Sequence, residues 1–179
     1  MAATFVVEDG TGLTLANSIL SVADADQIME NFDDPAAWTA ATDAEKENAL
    51  RQATRYLNYM YVWDGYKTAT TQGCQWPRYP VYDEDGTLID SDVIPQRVME
   101  ACAHLALADI KGDTLMPDNQ DEGTIKKRKD VIGPITEERE FMYGEDPDKQ
   151  YTVVEMLIEP FTIGDNTQDE SITVSVDRS

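Results

Sequence analysis

The sequence predicts a mainly α fold: a small bundle of about four helices carrying a β-hairpin and an extended C-terminal arm. Three observations point to it. Segments 43–61 and 95–110 repeat their apolar residues at helical spacing. Thr42 with Glu45, and Ser21 with Asp24, have the spacing of helix-start capping pairs. Two charge runs of opposite sign flank Gly133-Pro134, as expected of a turn between antiparallel strands.

Taken in order, Thr4-Phe5-Val6-Val7 reads as a short strand, and Glu8-Asp9-Gly10-Thr11-Gly12 turns the chain. Val22, Ala25, Ile28, Met29 and Phe32 then fall on one helical face. This first helix ends near Pro35, which disfavours helix in the residue before it. Trp38 is expected in a linker, packed back on the core. In the next helix Ala49, Leu50, Ala53, Tyr56, Leu57 and Met60 form the apolar stripe, with Arg51, Gln52, Arg55 and Asn58 mainly on the other side. An aromatic cluster, residues 61–66, leads into a polar loop over 67–73.

Trp76, Pro77 and Arg78 anchor the far end of that loop. Trp76 offers a large ring to the core and Pro77 fixes the backbone beside it. Arg78 is expected to stack on an aromatic ring or pair with a carboxylate. Asp83-Glu84-Asp85-Gly86 suggests either a calcium loop or a tight turn. With Gly86 at the sixth loop position, Val81 falls on the first ligand position and Asp92 on the twelfth, so the turn is the better reading.

Ser91 or Asp92 is expected to cap the next helix, with Pro95 in its first turn. Val98, Ala101, Cys102, Leu105, Ala106, Leu107 and Ile110 make that helix apolar on several sides, which predicts a central position. His104 falls at the edge of its polar stripe and reads as a surface residue. Beyond it, a two-residue turn at Gly133-Pro134 places Lys129 opposite Glu138 and Lys127 opposite Glu140. The basic run 126–129 suits either this internal pairing or nucleic acid, with pairing favoured by the acidic run beside it. A last short helix ends at Pro160. In the tail, Ile172, Val174 and Val176 alternate as in a strand lacking a partner in its own domain, and are expected to dock on another chain. The expected division is a helical domain, residues 1–160, and an arm, residues 161–179.

The 179 residues include 35 acidic and 14 basic ones, for a formal net charge of −21. That surface repels phosphate backbones and anionic membranes. Two cysteines make neither a disulfide framework nor a metal site, and Cys102 reads as a small core residue. No signal-peptide pattern and no membrane-spanning run is evident, so a cytosol-like compartment is expected. One histidine and no phosphate-binding glycine loop leave no basis for an enzyme, a cofactor or a metal.

The order of several short motifs carries a family resemblance over about residues 5–160. They are Glu8-Asp9-Gly10-Thr11-Gly12, Ala16-Asn17-Ser18, Ser21-Val22-Ala23-Asp24-Ala25-Asp26, Trp38, Ala53-Thr54-Arg55-Tyr56-Leu57, Trp76-Pro77-Arg78, Ile94-Pro95 and Val131-Ile132-Gly133-Pro134-Ile135. In this order they resemble head–tail connector proteins of tailed phages, a family often labelled DnaT-like single-stranded-DNA-binding proteins. The resemblance implies a structural virion protein: an adaptor assembled as a dodecameric ring beneath the portal protein, joined to a tail or nozzle protein, with DNA passing through its channel unbound. It would act at the head–tail interface of the virion after assembly in the host cytoplasm. The label implies the alternative, a single-stranded-DNA-binding module of replication. That alternative needs basic residues beside exposed aromatics, and Tyr56, Tyr59, Tyr61, Trp63 and Tyr66 have few basic neighbours in sequence. A host-interaction or tail-completion protein of the same fold is a third possibility.

Overall fold

The computed structural model describes residues 4–116 and 151–163, and the backbone of 127–132 and 135–140. The helices are α1 (Val22–Met29), α2 (Ala36–Ala40), α3 (Asp43–Met60), α4 (Gln96–Ile110) and α5 (Thr152–Ile158), the last running into a 3-10 turn, Glu159–Phe161. Two antiparallel ladders complete the fold: β1 (Tyr66–Lys67) with β2 (Arg78–Tyr79), and β3 (Lys127–Ile132) with β4 (Ile135–Glu140). The architecture is the expected mainly helical bundle with a hairpin.

α4 occupies the centre. Its Val98, Ala101, Cys102, Ala103, Leu105, Ala106 and Leu107 are buried, and α1, α2, α3 and α5 all pack against it. The small residues of this set let α3 approach closely. Thr54 on α3 lies between the two helices and the N-terminal segment: its hydroxyl accepts the Ile19 N–H (3.2 Å) and lies 3.6 Å from the Cys102 sulfur.

The caps account for where the first helices begin. Thr42 Oγ1 accepts the Glu45 N–H, and the Glu45 carboxylate accepts the Thr42 N–H in return (2.8 Å), which closes a full capping box on α3. Ser21 caps α1 by accepting the Asp24 N–H (3.1 Å). α4 differs from expectation. Neither Ser91 nor Asp92 caps it. Pro95 is the N-cap, with no side-chain bond, and its carbonyl accepts the Val98 and Met99 N–H groups. The extended backbone at Pro95, ψ 141°, makes the change of direction there, so residues further upstream are too early to serve.

Four further differences concern tertiary placement. Trp38 sits in the extra helix α2 rather than in a linker. It is fully buried, and its indole N–H donates to Asp26 (2.8 Å), which also pairs with Lys46 on α3 (2.8 Å). Thr4–Val7 forms no strand; only Val7 bridges to Ser18. Part of the expected loop after residue 66 is laddered as β1 against β2. His104 is half-buried, with its ring stacked on Phe32 at 4.0 Å.

The Asp83–Gly86 turn is as expected. Gly86 donates to the Asp83 carbonyl (3.0 Å) at φ +75°, and the Asp83 carboxylate accepts the Asp85 and Thr87 N–H groups. The β3–β4 register also follows the charge runs, pairing Lys127 with Glu140 and Lys129 with Glu138. Gly133 and Pro134 lie outside the described residues. The helical body reaches past residue 160: Phe161 is buried against Trp76, and the Ile163 N–H donates to Val62 (2.9 Å). Ile172, Val174 and Val176 lie outside the described residues.

Candidate nucleic-acid interface

Trp76, Pro77 and Arg78 are all buried, and they hold the crossover in place. Trp76 is 1% exposed and stands edge-on between Trp63 (5.6 Å) and Phe161 (5.9 Å). Its Nε1 has no hydrogen-bond partner among the described residues.

Among the described residues Arg78 meets neither a ring nor a carboxylate. Its guanidinium donates to five oxygens: the carbonyls of Trp63, Asp64, Gly65 and Gln75, and the Gln75 side chain, at 2.6–3.2 Å. Five donors meet five acceptors, so burial leaves no donor unsatisfied. Burial nevertheless holds its pKa below the ordinary arginine value, with the Asp64 charge acting the other way. Gly65 belongs to this cage, at φ +64°, and a Cβ there would strike the Pro80 carbonyl. The cage is structural; it presents no group to a ligand.

The cysteines are equally internal. Burial pushes the Cys74 thiol up to about 12, reinforced by the nearby Glu8 charge. Cys102, fully buried, is likewise pushed up to about 12. Neither carries the thiolate that nucleophilic chemistry needs. Among the described residues no group of three or more histidine, cysteine, aspartate or glutamate side chains is placed to hold a metal. Among them, too, no helix is long and apolar enough to cross a membrane.

Among the described residues, one feature open to a ligand is the outer face of α3. Arg51, Arg55 and Tyr59 follow one another at four-residue spacing, which sets them along one side of the helix. With Gln52, Asn58, Ala16, Asn17 and Gly73 they line a groove of about 320 Å³. Its walls are tied down. The Glu8 carboxylate gathers the N–H groups of Gly10, Gly12 and Leu13 (2.7–3.1 Å) and so closes the first loop. Asn17 is pinned by bonds to Val6 and Thr4. Gly73 donates to the Leu13 carbonyl, and Asn58 accepts the Gln75 N–H (2.9 Å).

The groove also carries basic charge, in Arg51 and Arg55. Arg51 lies over the Phe5 ring at 5.8 Å, and Arg55 is exposed. Tyr59 is 72% exposed, against 4% for Trp63 in the same aromatic cluster. Further along α3, Gln52 and Arg55 border a second hollow with Asp109 and Asp113. Two carboxylates there disfavour an anionic strand, so the usable stretch is short.

Sequence reasoning missed this groove because it judged the five aromatics together and by their neighbours along the chain. Tyr56 belongs to the inner cluster, meeting Tyr61 and Tyr151 edge-on, whereas Tyr59 lies three residues on and points away. The four-residue spacing of Arg51, Arg55 and Tyr59 is the signal that was available.

Taken together, the fold and groove define a small helical domain with a polar face that is basic and aromatic at one end. The chain belongs to the family described as "Putative DnaT-like ssDNA binding protein", whose model matches residues 3–179. No curated protein and no solved structure matches it.

Proposed function

We propose that this chain binds single-stranded DNA weakly along the outer face of α3. A base stacks on Tyr59, and Arg51 and Arg55 meet the flanking phosphates. The observation that carries this reading is the convergence of those two arginines and one exposed tyrosine on a single groove, in a chain whose family description names that ligand. Base–tyrosine stacking contributes about 1–3 kcal/mol. Two phosphate contacts, each adding about 0.7 to the salt slope of a single strand, give a slope of about −1.4. Against this stands the net charge of −21, which repels the strand at long range.

Anisotropy of a labelled oligonucleotide should therefore show binding at low salt and its loss towards physiological salt. Tyr59→Ala should weaken it by about 1–3 kcal/mol, and Arg55→Glu should flatten the salt slope by about 0.7 or more. No binding at low salt, or binding indifferent to both substitutions, sinks the proposal.

A second reading, the head–tail adaptor of a tailed phage, is favoured by the same charge. A wall at −21 lets DNA slide past without adhering. In that role the subunits form a dodecameric ring between the portal protein and a tail or nozzle protein. The protein would act in the virion, with assembly in the host cytoplasm and no membrane involved. Native mass spectrometry with the portal protein decides it: a closed ring on the portal is required, and a chain that stays apart from the portal rules it out. In both readings the protein works by contact, with no catalytic step and no cofactor.

A further inference from the structure

The groove on the outer face of α3 combines positive charge with apolar surface. Arg51 and Arg55 line it, with Tyr59 at one end. Leu15, next to the wall residue Ala16, is 78% exposed, and the Arg51 guanidinium lies over the Phe5 ring. Gln52 and Asn58 also line the groove, and their amides can donate to the carbonyls of an extended chain. Residues 164–179, which lie outside the described residues, carry the complementary set in order. A polar stretch, 164–168, leads to Asp169-Glu170, and then Ile172, Val174 and Val176 alternate with Thr173 and Ser175. In an extended chain those three apolar side chains point to one side.

The chain arrives at this arm beside the groove. The Ile163 N–H donates to the carbonyl of Val62, three residues beyond Tyr59. Phe161 packs on Trp76, and the adjoining Gln75 N–H is held by Asn58, a groove residue. Six steps along the chain let Asp169 lie as far as about 20 Å from Ile163. Arg55 and Arg51 stand about 6 and 12 Å back along α3 from Tyr59. We propose that the C-terminal arm folds back into the groove of its own chain. Asp169 and Glu170 pair with Arg55 and Arg51, and Ile172 and Val174 cover Leu15 and Phe5. A chain of net charge −21 repels an acidic arm as a whole, so two arginines in one groove mark a place where it settles. The short tether holds the arm near its own groove at an effective concentration on the order of millimolar, which favours that groove over another copy's. Docked there, the arm covers Tyr59 and Arg55, and any other ligand of the groove must displace it.

Paramagnetic broadening in the full chain tests this. Cys74 and Cys102 are buried, so a nitroxide can be attached selectively to Thr173→Cys, on the side of the arm away from its apolar set. The amide NMR signals of Ala16, Asn17, Asn58 and Gly73 should lose intensity, while those of Asp34 and Lys111, paired elsewhere on the surface, keep theirs. Arg51→Glu with Arg55→Glu should restore the groove signals. Adding Asp169→Lys with Glu170→Lys, which exchanges the charges, should weaken them again. The proposal rests on the geometry and charge of the groove, and no DNA is present in the test, so failure here and failure of DNA binding are separate results. Intensity lost evenly over the surface, or not at all, overturns the proposal. So does a loss that the arginine reversal leaves unchanged, or one that the exchanged charges do not regain. A loss found on an isotope-labelled chain mixed with a separate nitroxide-bearing chain puts the arm on a neighbouring copy and overturns it as well.

Discussion

Trp76, Arg78 and His104 show how a side chain's surroundings set its role. Trp76 fills the space between Trp63 and Phe161, so Trp76→Ala should cost about 3–5 kcal/mol, read as a shift in urea unfolding. Trp76→Phe should cost far less, because it keeps a ring in the cluster and removes a buried N–H without a partner. His104 supplies a pH dependence. Stacking on Phe32 buries the imidazole and holds its pKa below the ordinary value, with Glu100 pulling the other way. The unfolded chain, with its histidine near about pH 6.5, takes up a proton before the folded chain does. The contribution of His104 to stability is therefore full above about pH 6.5 and declines as pH falls below it. Unfolding midpoints measured from about pH 7 down to about pH 5 should fall for the wild-type chain, and His104→Gln should remove most of that slope. A slope that persists in the variant assigns the effect to other groups.

At the scale of the element, the helices were largely legible because their signals are local. The Thr42–Glu45 box starts α3 where its spacing predicted, and its two reciprocal bonds are both made. Thr42→Ala should cost about 1 kcal/mol, visible as a lower unfolding midpoint with an unchanged helical spectrum. The apolar composition of α4 foretold a central helix, and four other helices cover it. Hairpin register was legible too, since a two-residue turn at Gly133-Pro134 sets Lys127 opposite Glu140 and Lys129 opposite Glu138. The start of α4 was not, because Ser91, Asp92 and Pro95 are all plausible caps and the choice depends on where the preceding turn delivers the chain. α2 escaped notice for a related reason. Five residues give too short a window for periodicity, and it is burial of Trp38 against Asp26 and Lys46 that holds them.

For the whole molecule, the charge of −21 bears on each interaction proposed. It would confine the proposed DNA contact to low salt and, in the adaptor reading, would keep a channel wall from retaining DNA. Composition, helix periodicity, capping pairs and the hairpin register could all be read from the chain as written, because each depends on neighbours a few residues apart or on total charge. The surroundings of Arg78, Tyr59 and Arg55 could not. Arg78 ends in a cage of carbonyls from Trp63 to Gly65 and from Gln75, which meet only once the crossover has folded back on itself. Tyr59 and Arg55 stand beside Asn17 and Gly73 because the first loop, closed on Glu8, is carried across to α3. Such sites bring together residues tens of positions apart, and their partners are chosen by packing, which no local pattern encodes.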